Sequence, residues 1–311
     1  MKVALIWPNA SNPWPPTGWG AIEKYVWEYK NNLIELGFDA HLRYSNSGDL
    51  GSFDIIQSHT WNQSLILYER GLSYIFSFDD THVIYFGNNS TLYKNNVDAI
   101  KKSDLTIVHS EYLVDYFNYD NIFYLRHGSN PNKFKFLNSI KYEHSLLCVG
   151  KTDQNDRKGF GIAIDSASKI GLPITVVGPN DDFFDKNNFN YNKLTILGNK
   201  NDDELLNIYN EHTIFLHPSK LETGHPNLTL IESIYCGTPV IGTCDVNIDG
   251  MLNMDLNSDD ITNNIKYVID NYNYYQNGCF KLKNSGYYDW YNITKDLVNL
   301  YYKYIKIKKN R

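Results

Sequence analysis

The stretch PSKLETGHPNLTLIESIYC joins the end of an apolar run to the start of a helical one, and its residue types could do chemistry. Glu222 and Glu232 lie on either side of a Pro-Asn dipeptide. The N–H groups of Asn227, Leu228 and Thr229 open the helical segment, where they lack helical partners and favour an anion such as phosphate. Glu232 can accept two hydroxyl hydrogens, which suits the vicinal diol of a ribose. The alternative is that Glu232 is only a surface residue.

A second candidate is the loop GKTDQNDRKG, which follows an apolar run and opens the next helical segment. Lys151 and Lys158 flank this loop. Two ammonium groups beside a helix start could hold a diphosphate and stabilise the charge that grows on it as it leaves. Lysines on an exposed loop are also commonly just solvated, so this interpretation depends on the neighbouring helix start.

A third candidate is the long loop PNASNPWPPTGWGAIE near the N-terminus. Gly18 and Gly20 allow the backbone to approach a ligand closely before a helix begins near Ala21. The loop is not the dinucleotide fingerprint, because Glu23 stands where the third glycine of GxGxxG belongs. The alternative is a surface turn rich in glycine and proline.

The elements that must position these residues are apolar runs alternating with helical segments, which predicts parallel sheets covered by helices. The first series has apolar runs at 3–7, 40–44, 54–59, 74–78, 105–110 and 122–128 and a helical segment at 21–37. The second has apolar runs at 146–150, 174–178, 194–198, 213–219 and 239–243, with helical segments at 159–170, near 202–211 and from Thr229. We therefore predict an α/β protein with two Rossmann-like domains.

Residues 129–143 interrupt this order with Asn, Pro and Lys and are interpreted as a linker. The predicted domains are 1–137 and 144–286, with a helix at 287–311 that packs back on the first domain. In open parallel sheets, ligands bind outside the carboxyl ends of the strands. The loops that follow the strands are therefore the expected site.

Composition excludes several classes of protein. The 311 residues carry a formal charge of −6, which argues against a general nucleic-acid binder. The cysteines form no metal-ligand or disulfide pattern; they are Cys148, Cys236, Cys244 and Cys279. Neither a signal peptide nor an apolar run of roughly 18 residues is recognisable. We expect a cytoplasmic protein whose basic C-terminus is either a solvated helix end or a peripheral contact with an anionic membrane.

Taken in order, these motifs resemble the retaining GT-B glycosyltransferases of the family 4 type, whose fingerprint is PS..E(x7)E followed by A.A.G.PV. The corresponding stretch is PSKLETGHPNLTLIESIYCGTPVIG. Four further stretches match the family's order, namely VGKTDQNDRKG, PPTGWGAIEKYVWEY, SDLTIVHSEY and LRHGSNPNKF. The resemblance covers nearly the whole chain and implies the GT-B fold, in which two Rossmann-like domains face each other across a cleft.

The resemblance assigns donor-side roles residue by residue. It implies that Lys151, at the family's usual arginine position, and Lys158 hold the donor diphosphate, and that Glu232 binds ribose. Glu222 matches the glutamate that contacts the donor sugar, but nine residues separate it from Glu232 instead of seven. Either the loop bulges by two residues or the neighbouring backbone covers the sugar.

The glycine loop and two strand ends complete the implied donor site. Gly18, Trp19 and Gly20 lie in the loop that approaches the donor, and Trp19 is also a candidate for acceptor contact. Gly178 and Gly198 end strands that resemble those around the nucleobase.

On the acceptor side, the family often has a histidine that closes a strand of the first domain. In YIFSFDDTH, either Asp79 or His82 takes that role. His59, which closes DIIQSH, is a further candidate for acceptor contact. For each of these histidines, the alternative is a hydrogen-bonded structural residue.

The activity that the resemblance implies is transfer of a sugar, with retention, from a UDP- or GDP-linked donor to an acceptor hydroxyl. The acceptor is a glycan, a lipid-linked saccharide or a small molecule, and neither cofactor nor metal ion is expected. The alternatives are a GT-B epimerase or phosphorylase, or a nucleotide-sugar-binding protein without turnover.

Overall fold

The structure, a computed structural model, describes residues 1–309 apart from 10, 12, 17–19, 80, 139–143, 152–155, 179–188, 221–225 and 245, and apart from the side chains of residues 81 and 82. The chain divides into two compact units. One holds Met1–Gly128 together with the helix that begins at Trp290, and the other holds the described residues from Ser129 to Asp289.

Within its described residues, the first unit contains six parallel strands in the order β2-β1-β3-β4-β5-β6. They are β1 (Lys2–Ile6), β2 (Asp39–Arg43), β3 (Ile55–Ser58), β4 (Ile75–Phe78), β5 (Leu105–Val108) and β6 (Ile122–Tyr124). Strands β3, β4 and β5 are buried along their whole length. This burial on both faces explains why their sequences are apolar runs without alternation.

Helices cover this sheet. They are α1 (Ala21–Glu35), α2 (Trp61–Glu69), α3 (Thr91–Lys102) and α4 (Glu111–Phe117), and short 3-10 turns span Leu50–Ser52 and Thr81–Phe86. The buried residues of α1 include Tyr25, Tyr29 and Leu33, which share one face at helical spacing. That face brings two tyrosine rings onto the carboxyl edge of the sheet.

The second unit is built in the same way. In the part of it that the structure describes, six parallel strands follow the order β12-β11-β10-β7-β8-β9. They are β7 (Leu146–Val149), β8 (Ile174–Val177), β9 (Leu194–Leu197), β10 (Ile214–His217), β11 (Val240–Gly242) and β12 (Met251–Asn253). The helices are α5 (Phe160–Ile170), α6 (Asp202–Glu211), α7 (Leu228–Tyr235), α8 (Ser258–Asp270) and α9 (Tyr272–Ser285). Strand β10 lies between β7 and β11, so the loops after these three strands share one edge.

The last helix, α10 (Trp290–Lys309), belongs to the first unit and packs against α1. Its buried positions include Ile293, Leu297 and Tyr301, which form one stripe at helical spacing. The Tyr301 hydroxyl donates to Oε1 of Gln57 over 2.5 Å. The buried stripe and this hydrogen bond fix the helix on the sheet.

The predicted fold class is confirmed, because both sheets are parallel and covered by helices. The strands predicted from apolar runs form with both ends at, or at most four residues from, the expected positions. The sequence analysis did not identify α2, α3, α4, α8, α9 or the edge strand β12.

We predict that Leu297→Ala lowers the free energy of unfolding of the first unit by about 2–5 kcal/mol, because it leaves a cavity under α10. Urea unfolding followed by tryptophan fluorescence tests this, since buried Trp290 reports on the same helix. Asn299→Ala, at an exposed position of α10, is the control. Equal urea midpoints for the two variants would contradict the packing described for this helix.

Candidate functional site

The loops after β7 and β10 are joined at the carboxyl edge of the second sheet. The backbone N–H of Lys220 donates to the carbonyl of Arg157 over 2.8 Å, and the Ser219 hydroxyl donates to the same carbonyl over 3.3 Å. The Thr243 hydroxyl, from the loop after β11, donates to the Ser219 carbonyl over 2.6 Å. Three loops that are distant in sequence therefore form one hydrogen-bonded layer.

Gly159 is the closest point between two of these loops. Its φ of 73° lies in the left-handed region, and a Cβ at this position would stand 2.0 Å from the carbonyl oxygen of Pro218. No side chain fits at that distance, and the neighbouring atom is backbone, which cannot move aside cheaply. The contact requires glycine at the end of the KG pair.

Lys158 is fixed at the strand end by its aliphatic stem. A Cβ added to Gly150 would lie 3.2 Å from Cγ of Lys158, so the stem packs directly over that glycine. Lys158 is half-buried, whereas Lys151 is exposed next to the same strand end. The structure thus places the two lysines on one loop, with Lys158 the more constrained.

The start of α5 already has an anionic partner. Asp156 precedes the helix at a left-handed φ of 46°, and its carboxylate accepts the N–H groups of Phe160 over 2.8 Å and Gly161 over 3.0 Å. A carboxylate in this place satisfies first-turn donors and interacts favourably with the helix dipole. The α5 amides are therefore taken by the protein itself.

The start of α7 is arranged differently. Asn227 caps the helix, with Oδ1 accepting from the Leu230 N–H over 3.1 Å and from the Thr229 hydroxyl over 2.9 Å. Its Nδ2 group donates to Nε2 of His217, at the end of β10, over 2.7 Å. Within the described residues, the N–H groups of Leu228 and Thr229 have no acceptor. These two amides are among the three donors that the sequence analysis predicted for an anion.

Glu232 is not a surface residue, because only 3% of its surface is exposed. The Tyr209 hydroxyl donates to Oε2 of Glu232 over 3.2 Å. Burial, followed by the negative charge of Glu232, holds the pKa of Tyr209 well above its ordinary value. The tyrosine therefore stays a neutral donor that orients the carboxylate one turn inside α7.

Three other glycines that the sequence analysis assigned to the donor site differ in how strongly the backbone requires glycine. Gly178, after β8, has a φ of 91°, which favours glycine. Gly198, after β9, has no atom within 4 Å of an added Cβ. Gly20 precedes α1 with a φ of 128°, and a Cβ there would collide with the carboxylate of Glu23. Glu222, Gly18 and Trp19, together with the side chain of His82, lie outside the described part of the structure.

The first unit holds a buried polar cluster at the carboxyl edge of its own sheet. His59, Asp79, His109 and His127 follow β3, β4, β5 and β6. Asp79 accepts from Nε2 of His109 over 2.7 Å, from Nδ1 of His59 over 3.3 Å and from the Ser77 hydroxyl over 3.0 Å. The sequence analysis found His59 and Asp79 and missed His109 and His127.

The hydrogen bonds fix the charges in this cluster. Nδ1 of His109 faces the carbonyl oxygen of Leu125 at 2.7 Å, and Nε2 faces Asp79. Both partners are acceptors, so both nitrogens carry a hydrogen and the ring is an imidazolium paired with a carboxylate. Burial raises the pKa of Asp79, but the hydrogen bonds from His109 and His59 outweigh it and hold that pKa below its ordinary value.

Aromatic rings close the cluster. The ring of His127 lies 3.9 Å from that of His109, and Tyr25 of α1 stacks on His127 with centroids 5.4 Å apart. Burial raises the pKa of Tyr29, which packs on Trp290 and His59. These contacts connect α1 and α10 to the ends of the strands.

The same cluster has ligand types that could hold a metal ion, because donor atoms of Asp79, His109 and His127 lie within 4.8 Å of one another. The 2.7 Å separation of Asp79 and His109 is that of a charge-assisted hydrogen bond. The contact between Asp79 and His109 therefore fits a hydrogen-bonded ion pair better than two ligands of one metal ion.

We predict that Asp79→Asn destabilises the protein at pH 7 by about 3–5 kcal/mol, because it leaves the His109 imidazolium without its anion. Since the folded pKa of Asp79 is lowered, its contribution is present above the ordinary pKa of 3.8 and is lost as the pH falls through the folded pKa. The variant should therefore lose less stability than the wild type between pH 4 and pH 2. Melting temperatures across that range measure this difference.

Asp98→Asn is the matched control, since Asp98 forms an exposed ion pair with Lys102 in the same unit. It should behave like the wild type. If the melting temperatures of the wild type and of Asp79→Asn fall equally between pH 4 and pH 2, the assignment of an ionised Asp79 paired with His109 is contradicted.

Comparison with solved structures shows a likeness along nearly the whole chain. Sucrose-phosphate synthase from Thermosynechococcus elongatus is 15% identical with a TM-score of 0.79, and the match covers 97% of this chain and 98% of that one. AviGT4, a glycosyltransferase involved in avilamycin A biosynthesis, is 17% identical with a TM-score of 0.71 and 98% coverage of both chains. HepE of Anabaena, in complex with UDP and glucose, is 14% identical with a TM-score of 0.73 and coverage of 96% and 99%.

No curated protein matches the sequence. Among the described helices, none is both long and apolar enough to cross a membrane. The family model described as "Glycosyl transferases group 1" matches residues 143–271, a segment that holds the lysine loop after β7 and the helix start at α7. This segment is similar to the group 1 glycosyl transferases, and the likeness to solved structures along nearly the whole chain shows that the fold is GT-B.

Proposed function

We propose that this protein is a glycosyltransferase that moves a sugar from a nucleotide-diphosphate donor to an acceptor hydroxyl with retention at the anomeric carbon. The observation that supports this best is the joining of two loops at one sheet edge, with Lys158 on one and the α7 amides of Leu228 and Thr229 following the other. Cationic and N–H donors held at one edge suit a diphosphate.

The diphosphate is the leaving group of the proposed reaction. Its negative charge grows as the glycosidic bond breaks, so groups placed beforehand to receive this charge stabilise the transition state. Lys158, held over Gly150, is the constrained cation, and Lys151 is the exposed one. We propose that these charges and the α7 dipole neutralise the diphosphate without a divalent ion.

Ribose is the proposed partner of Glu232. Tyr209 donates to Oε2 and orients the carboxylate, which retains further acceptor capacity for hydroxyl groups. Several structural relatives were solved with UDP or UDP-glucose, among them HepE and an α-glucosyltransferase that also holds DNA. A UDP-linked hexose is therefore the first donor to test, followed by GDP-linked sugars.

The first unit, together with α10, is proposed to serve the acceptor. His59 donates to Asp79 through Nδ1, and its Nε2 has no hydrogen-bond partner among the described residues. Both side chains are buried here, so we propose that they shape the acceptor side from beneath α1. His82, Trp19, Gly18 and Glu222 remain proposed contacts on the strength of the family resemblance.

Glycan or polysaccharide biosynthesis is the proposed setting. The last turn of α10 is basic, with Lys306, Lys308 and Lys309. These lysines are proposed as a peripheral contact with an anionic membrane, where a lipid-linked acceptor would be available.

Thermal shift with UDP-, GDP-, ADP- and CMP-sugars is the first experiment, because a ligand that binds the native state raises its melting temperature. The donor that binds is then supplied with a panel of saccharide acceptors in a transfer assay. We expect stabilisation by one nucleotide class and transfer that retains the anomeric configuration. Binding without transfer to any acceptor would favour a non-catalytic nucleotide-sugar-binding protein, and no binding would overturn the proposal.

We predict that Lys158→Met weakens binding of the identified nucleoside diphosphate by about 10- to 100-fold, since it removes a charge-assisted contact, and leaves nucleoside binding unchanged. Glu232→Gln should weaken nucleoside and nucleotide alike. Isothermal titration with both ligands separates the two effects. Lys281→Met, which removes an exposed lysine paired with Asp249, is the control. Equal affinities for the diphosphate in Lys158→Met and the wild type would refute the clamp.

A further inference from the structure

Lys220 is a third cation beside the lysine loop. It follows Ser219 at the end of the PS motif, and its backbone N–H donates to the carbonyl of Arg157 over 2.8 Å. The Ser219 hydroxyl donates to the same carbonyl, so the backbone of Lys220 is fixed against the loop that carries Lys158. Its side chain is 43% exposed and free to swing on four carbons.

The ammonium group of Lys220 is paired with the carboxylate of Asp156, which has other hydrogen-bond donors besides this lysine. Its Nζ atom lies 3.8 Å from Oδ2 of Asp156. Asp156 already accepts the N–H groups of Phe160 and Gly161 and faces the positive end of the α5 dipole. The carboxylate keeps these two hydrogen bonds if Lys220 leaves, so releasing the lysine costs little.

We propose that Lys220 is a third ligand of the donor diphosphate and that Asp156 holds it beside the site until the donor binds. This inference rests on the proposed function. A diphosphate carries more negative charge than one carboxylate, and the carboxylate of Asp156 is already stabilised by two amides. Lys220 therefore gains attraction by moving from Asp156 to the phosphate.

If Lys220 exchanges Asp156 for the phosphate, substitutions of the two residues change anion affinity in opposite directions. A purely structural ion pair does not predict this difference. Loss of Lys220 weakens anion binding. Loss of the Asp156 charge strengthens it, because the competing carboxylate and its repulsion of the phosphate both disappear. Asn is well suited to the test, since it caps helices and tolerates the left-handed φ of 46° that Asp156 adopts.

The experiment is isothermal titration of the full chain with inorganic pyrophosphate, which avoids any choice of base or sugar. We expect Lys220→Met to bind pyrophosphate about tenfold more weakly than the wild type, and Asp156→Asn to bind it about threefold more tightly. The gain from Asp156→Asn should be smaller in the Lys220→Met background than in the wild type, because only the repulsion of the phosphate remains to be removed once Lys220 is gone. Lys281→Met is the control for loss of one surface charge and should match the wild type.

Three results overturn the inference. Unchanged pyrophosphate affinity in Lys220→Met shows that this lysine is not a ligand. Equal weakening in Lys220→Met and Asp156→Asn shows a purely structural ion pair. Absence of pyrophosphate binding by the wild type removes Lys220 as a diphosphate ligand, and if nucleoside diphosphates also fail to bind, the proposed function fails with it. If the wild type binds pyrophosphate and Lys220→Met binds it with the same affinity, this inference fails but the proposed function does not.

Discussion

The proposed donor side of this protein depends on one backbone contact, between Gly159 and the carbonyl of Pro218. A side chain at residue 159 would stand 2.0 Å from that oxygen, so only glycine lets the loops after β7 and β10 meet. Once they meet, Arg157 receives hydrogen bonds from the second loop, and the lysine loop is held beside the chain that leads into α7. In the sequence pair Lys158–Gly159, the lysine thus supplies the positive charge, and the glycine allows the close loop contact that holds the lysine in place.

The two helix starts of the second unit have opposite roles because of the residues before them. Asp156 supplies a charged cap to α5 and occupies its first amides, whereas Asn227 supplies a neutral cap to α7 and leaves two N–H groups without an acceptor among the described residues. In the first unit, positive and negative groups cancel internally, with the His109 imidazolium against Asp79 beneath Tyr25 and His127. That cluster connects α1 and α10 to the sheet, while the lysines of the second unit are proposed to bind the donor.

Sequence patterns were sufficient for the sheets, because strands buried on both faces read as apolar runs such as LTIVH and TIFLH. They were insufficient for helices such as α3, whose TLYKNNVDAIKK has few apolar residues because it packs on one face only. The lysine loop and the α7 start could be predicted, since both follow strands within one domain. His109 and His127 could not, because a single histidine after a strand gains meaning only when the register of neighbouring strands brings it to Asp79. The capping role of Asp156 depends on a left-handed turn that composition does not reveal.

A crystal structure of the protein with the nucleoside diphosphate that binds it tests the central claim most directly. The account predicts phosphate oxygens at about 3 Å from both Nζ of Lys158 and the backbone nitrogens of Leu228 and Thr229. A diphosphate bound away from the α7 start, or one from which Lys158 is turned away, would contradict it.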